Sequence, residues 1–105
     1  MLKKRYLKNG PVKVDFVLPD AVAQMAKTVF LVGDFNNWDE QATPMNQTKG
    51  GSFKVTLDLE PDRNYQFRYL VNGNQWHNDW DADAYAPNPF SGDNSVLSTH
   101  RTDGS

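Results

Sequence analysis

The stretch Tyr65-Gln66-Phe67-Arg68-Tyr69-Leu70-Val71-Asn72-Gly73-Asn74-Gln75-Trp76 decides the fold class. Tyr65, Phe67, Tyr69 and Val71 alternate with Gln66, Arg68 and Leu70. That period of two puts one set of side chains on a buried sheet face and the other set on the opposite face. Asn72-Gly73-Asn74 follows at once and reads as a hairpin turn, because Gly and Asn tolerate positive φ. The stretch therefore reads as a strand, a tight turn and a returning strand that carries Trp76. Arg68 is expected to face away from the aromatic set, toward solvent.

The same alternation recurs on both sides of this hairpin. Val12, Val14, Phe16 and Leu18 alternate with Lys13, Asp15 and Val17, and Pro19-Asp20 ends the run. Phe53, Val55, Leu57 and Leu59 alternate with Lys54, Thr56 and Asp58. Residues 27–34 are apolar on both faces, which is expected of a central strand. Short strands are expected at 75–78 and 94–98. Lys49-Gly50-Gly51-Ser52 reads as a second hairpin turn, and Glu60-Pro61-Asp62 as a loop, because proline cannot donate to a ladder. Residues 81–93, with Pro87, Pro89 and Gly92, read as a longer loop or turn series. Only Ala21 to Lys27 has helical composition, and it is short. Six to eight short strands with few helices point to an all-β, immunoglobulin-like β-sandwich.

Composition narrows the function classes. The chain has 105 residues with a formal charge of −2; 38% are hydrophobic, 12% are aromatic and none is cysteine. The hydrophobic share lies below the usual ~45–50%, a figure that also counts glycine, so the apolar surface is concentrated in large flat side chains. One domain is the natural count for this length. The absence of cysteine excludes a disulfide framework, a thiolate zinc site and a cysteine nucleophile. No apolar run approaches the ~18 residues of a membrane span. The basic start lacks the apolar core of a secretory signal, so cytoplasm is the expected location. Lys3, Lys4, Arg5 and Lys8 contribute +4 and leave −6 for the remainder. Residues 1–11 accordingly read as a solubilising basic arm on a frayed terminus, 12–98 as the sandwich and 99–105 as a flexible tail.

Catalytic chemistry finds little to work with. Of the two histidines, His100 lies in the tail, and no serine sits in a nucleophile-elbow context. Glu40 and Glu60 fall in loops, with no partner carboxylate at a useful spacing. No phosphate-cradling glycine loop is present. Asp79, Asp81 and Asp83 echo the start of a calcium loop, but Ala84 stands where glycine is required and Phe90 where glutamate is required. Their alternation instead fits an extended segment with all three carboxylates exposed. Tyr65 to Tyr69 interleaves aromatics with Arg68, yet the acidic body of the domain repels phosphate, so no nucleic-acid partner is expected. No catalytic residue, metal or cofactor is expected.

The tryptophans remain. Trp38 follows a turn after the 27–34 strand, Trp76 follows the Asn72-Gly73 turn, and Trp80 lies four residues beyond. They sit at strand ends among Asn, Gln, Asp and Arg rather than in core positions. Structural caps on the sandwich are one reading, and the stronger one for Trp80. The functional reading is that an exposed indole stacks on the C–H face of a pyranose ring while amides and cationic side chains bond its hydroxyl rim. Trp38, Trp76 and Arg68 are the candidates.

The segment Val29-Phe30-Leu31-Val32-Gly33-Asp34-Phe35-Asn36-Asn37-Trp38-Asp39 resembles the signature of carbohydrate-binding module family 48. That family includes the glycogen-binding domain of the AMP-activated protein kinase beta subunit and the early-set domains of isoamylases and glycogen branching enzymes. Phe67 to Trp76 is similar to the second family motif, and Asp93-Asn94-Ser95-Val96 to the closing strand, so the resemblance spans about residues 12–98. It implies an early-set sandwich that binds α-1,4-linked glucan of the glycogen or starch type without catalysis. The two stacking tryptophans fall on Trp38 and Trp76, and the basic hydrogen-bonding residue on Arg68, where lysine is usual. An asparagine near the closing strand falls on Asp93, or on Asn94 after a one-residue shift. An apolar loop residue has its nearest counterpart in Phe90 or Pro89. Two further roles stay open on this reading: an accessory domain packed on an amylolytic enzyme, and a protein-interaction module using the same aromatic face.

Overall fold

The computed structural model describes residues 2–8, 10–18, 20–79, 82–87 and 92–100. Among these, the strands are β1 (Leu2–Tyr6), β2 (Val12–Val17), β3 (Val29–Gly33), β4 (Asn46–Gln47), β5 (Phe53–Leu59), β6 (Asn64–Val71), β7 (Gln75–His77), β8 (Ala84–Pro87) and β9 (Asp93–Ser98). One helical turn, α1 (Asp20–Ala23), and a 3-10 turn, Asp34–Asn36, complete the set. No helix among the described residues is long and apolar enough to cross a membrane. The strands form two antiparallel sheets, in the orders β1-β2-β5-β4 and β3-β6-β9-β8, with β7 also paired to β6. This is the expected all-β sandwich of immunoglobulin-like type.

Alternation accounts for the core. Val12, Val14 and Phe16 of β2 and Phe53 and Leu59 of β5 face Leu31, Phe67, Tyr69 and Leu97 of the other sheet, all buried. Phe16 packs edge-on against Phe67 with ring centroids 5.2 Å apart, and Phe67 against Tyr69 at 5.7 Å. A few large rings thus close a core for which the aliphatic side chains alone would be thin.

Four expectations are corrected. The basic start is not a frayed arm: Leu2–Tyr6 pairs along its whole length with β2, from Leu2 opposite Phe16 to Tyr6 opposite Val12. Lys4 lies on the core side of this edge strand. Its Nζ donates to Asp83 Oδ2 at 2.6 Å and to the Ser98 carbonyl at 2.9 Å, joining the two sheets. β3 is not central; it ends its sheet. Its two-sided burial arises locally, because Val32 lies opposite Arg68 and residues 43–45 hydrogen-bond its outer edge, Leu31 N to Thr43 O and Met45 N to Val29 O. The three aspartates do not share an exposed face. Asp79 is fully buried and accepts the Tyr69 hydroxyl at 2.7 Å, Asp83 holds Lys4, and Asp81 lies outside the described residues. Thr99, placed in the tail, is buried, with Oγ1 donating to the Glu60 carbonyl at 2.7 Å; residues 101–105 lie outside the described residues.

Asp15 gives the fold a pH dependence. On the outer face of the first sheet it accepts hydrogen bonds from Thr56 Oγ1 and from Arg5 at 3.2 Å, with Lys54 at 3.8 Å. The Thr56 bond and the two cations hold its carboxyl below the ordinary 3.8, against the opposing effect of burial. A depressed folded pKa contributes stability that is present above the unfolded value and is lost as pH falls through the folded one. Asp15→Asn is therefore expected to lower the urea midpoint at neutral pH, and its deficit against wild type should shrink below pH 3.8. Parallel midpoint-versus-pH curves would contradict this assignment.

Candidate functional site

The site is organised by the register of one hairpin. Asn72 and Gly73 adopt φ of 54° and 79°, and Asn74 N donates to Val71 O at 3.2 Å. These are two consecutive left-handed positions in a three-residue loop, residues 72–74, between the paired Val71 and Gln75. Asn72 also anchors the turn to the body, its Oδ1 accepting Lys27 N at 2.7 Å and Thr28 N at 3.2 Å. The resulting register sets Trp76 opposite Leu70 and His77 opposite Tyr69. A slip of one residue would send Trp76 to the core side.

Gln66, Arg68 and Leu70 point outward from β6, so Trp76 shares their face. The Arg68 guanidinium lies 5.8 Å from the centroid of the Trp76 ring, within cation–π range. Trp76 is 38% exposed, whereas Leu70 opposite it and Val32 opposite Arg68 are buried. Arg68 Nε is shielded from solvent and makes no hydrogen bond among the described residues.

Trp38 is set by a different device. The chain leaves β3 at Gly33, makes the 3-10 turn and passes through Asn37 and Trp38 with φ of 59° and 57°. Two consecutive non-glycine residues in the left-handed region cost on the order of 1–2 kcal/mol each. Local hydrogen bonds offset that strain. Trp38 N donates to Gly33 O at 2.9 Å, Gly33 N to Asn36 Oδ1 at 3.1 Å, and Asn36 Nδ2 to Leu31 O at 2.9 Å. Asp34 completes the arrangement: Oδ1 accepts the indole Nε1–H of Trp38 at 2.8 Å and Oδ2 accepts Gln66 N at 2.7 Å.

On the closing strand, Asn94 is buried and its Nδ2 donates to Gln66 Oε1 at 3.0 Å, which puts its amide on the outward face of β6. Asp93 is exposed at the start of β9, opposite Pro87, and its carbonyl accepts Asn78 Nδ2. Of the two, Asn94 is the one brought to Gln66. Phe90, Pro89 and Trp80 lie outside the described residues. Trp38, Asp34, Gln66 and Asn94 thus form one hydrogen-bonded chain, and Arg68 of β6 with Trp76 of β7 a second unit. Asp34 and Gln66 were not singled out from the sequence. The available signal was the spacing of Asp34 four residues before a tryptophan in a turn, which permits a carboxylate-to-indole bond.

The arrangement offers flat apolar surface beside amide and guanidinium groups. No curated protein matches the chain. The profile described as Carbohydrate-binding module 48 (Isoamylase N-terminal domain) matches residues 20–86, a span that runs from α1 into β8 and contains Trp38, Arg68 and Trp76. The match covers well over half of the chain and agrees with the sandwich topology, so the chain belongs to carbohydrate-binding module family 48, the isoamylase N-terminal domain family.

Proposed function

We propose that the domain binds α-1,4-linked glucan of the glycogen or starch type, with Trp38 and Trp76 as stacking platforms and Arg68 and Asn94 as rim hydrogen-bond donors. The observation that carries this reading is the hairpin register that sets a 38%-exposed Trp76 on the same face as Arg68. Membership in a family of carbohydrate-binding modules supports it. Arginine keeps the charge and donors of the family's usual lysine but holds them in a planar fork.

Each indole covering about 50–80 Å² of sugar C–H surface contributes roughly 1–2 kcal/mol. Two platforms and a few hydrogen bonds of ~1 kcal/mol each, less ordering costs, give a dissociation constant between ~10 μM and ~1 mM. Such a site gains from polymers with many chain ends, where rebinding and multivalency raise retention. The domain then acts as a tether that localises its parent protein to α-glucan.

Affinity gel electrophoresis through glycogen or amylopectin tests the reading. Wild type is expected to be retarded, and Trp38→Ala or Trp76→Ala each to lose roughly 5- to 30-fold in affinity. Unretarded migration of the folded wild type would sink the glucan reading. Retardation untouched by either substitution would keep sugar binding but discard this site.

A further inference from the structure

The most informative contact outside the family motif's stacking residues is the carboxylate of Asp34. It bonds both the Trp38 indole and the backbone of β6. An aspartate in this place is commonly read as a turn former. Here the turn is already closed without its side chain: Trp38 N bonds Gly33 O, and Asn36 supplies the side-chain bonds to Gly33 N and Leu31 O. The Asp34 carboxylate is spent elsewhere, one oxygen on the indole N–H and the other on the Gln66 N–H.

We propose that Asp34 is the positioning residue of Trp38, fixing the plane of its indole against β6 and so the ring face that a sugar can meet. The proposal rests on the glucan reading for what the ring does, and on the geometry alone for how the ring is held. Three physical consequences follow. An indole on the surface ordinarily samples several side-chain rotamers, and a stacking platform that must first be ordered binds more weakly. A charge-assisted bond to a carboxylate is roughly twice as strong as a neutral one and removes that freedom before the ligand arrives. The indole N–H is also consumed, so Trp38 offers a ligand its π-face and no donor. The polar half of recognition then falls to Arg68 and the Gln66–Asn94 amide pair.

A double-mutant cycle isolates the effect. Wild type, Asp34→Asn, Trp38→Phe and the double variant are compared by glycogen affinity electrophoresis and by nuclear magnetic resonance of the indole N–H groups. The Trp38 signal is the one that vanishes in Trp38→Phe. Phenylalanine keeps a stacking ring but has no N–H for Asp34 to hold. Asparagine can serve Gln66 N with its oxygen, but it then turns an amide donor toward the indole. The expected result is an upfield-shifted, faster-exchanging Trp38 indole proton in Asp34→Asn and an affinity lower by about five- to tenfold. In the Trp38→Phe background the same substitution should leave affinity unchanged. An unshifted indole proton, or an equal loss of affinity in both backgrounds, overturns the proposal. Wild type that is not retarded by glycogen overturns the glucan reading instead, and the indole signal then decides by itself whether Asp34 holds Trp38.

Discussion

Tyr69→Ala is expected to destabilise the domain by about 3–5 kcal/mol, the range for truncating a large buried ring, and to lower its melting temperature by on the order of 15–30 °C. Tyr69 has no exposed surface, packs its ring edge against Phe67, and donates its hydroxyl to the buried Asp79 at 2.7 Å. Asp79 is further bound through its own N–H to Ser95 Oγ and through its carbonyl to the Tyr85 hydroxyl. Truncating the ring opens a cavity and removes a polar partner at the junction of β6, β8 and β9. Trp76→Ala, on the outer face of the same strand pair, should by contrast shift the melt little while losing glucan retention. A larger thermal loss in Trp76→Ala than in Tyr69→Ala would refute this division. Burial and the neighbouring Asp79 carboxylate raise the Tyr69 phenol well above its ordinary 10.0. As pH rises past that value, the unfolded chain releases a proton that the folded one keeps, so stability falls on the alkaline side.

Gly33→Ala is expected to be the most damaging change outside the core. The objection is purely one of space, since Gly33 has an extended backbone with φ of −175° that any residue adopts. A Cβ there would lie 2.5 Å from Gln66 O, 2.7 Å from Phe67 Cβ and 2.9 Å from Phe35 Cζ. Two of these atoms belong to β6, which is pinned by the opposition of Gly33 to Phe67 and by the bond from Gln66 N to Asp34. Relief requires β3 to move away from β6, at a cost of about 1–3 kcal/mol or more. The 3-10 turn carrying Trp38 hangs from this residue, so a lower urea midpoint and a loss of glycogen retention should appear together. An unchanged midpoint would show that β3 can shift freely.

Local chemistry was the legible part. β2, β5 and β6 follow from strict alternation, and Asn72-Gly73 follows from its turn preference. Because hairpin register is local, the outward placement of Arg68 and Trp76 could be read as well. Tertiary partners were not legible. Lys3, Lys4 and Arg5 look like a solvated run, and the partners of Lys4 lie on Asp83 and Ser98, far along the chain. Asp79 looks exposed by alternation with Asp81 and Asp83, whereas its partners Tyr69, Ser95 and Tyr85 lie on three separate strands. Residues 81–93 read as turns because of their prolines and glycine, yet Ala84–Pro87 is an edge strand, a position where Pro87 is tolerated. Asp34 is not legible from local pattern because one of its two partners is 32 residues away. The choice between Asp93 and Asn94 depended on which residue of β9 turns its side chain toward Gln66.

The Lys4 bridge has a consequence for the order of assembly. β1 and β2 are neighbours in sequence and can zip together as soon as both exist, whereas the carbonyl that Lys4 grips belongs to Ser98, separated by 94 residues. Contacts of such long separation form late, because a large loop must close before they contribute. On the ribosome the first hairpin would wait with its ammonium group in water until the last strand emerges. The clasp then shuts over a sandwich in which the β6–β7 hairpin pairs residues close in sequence.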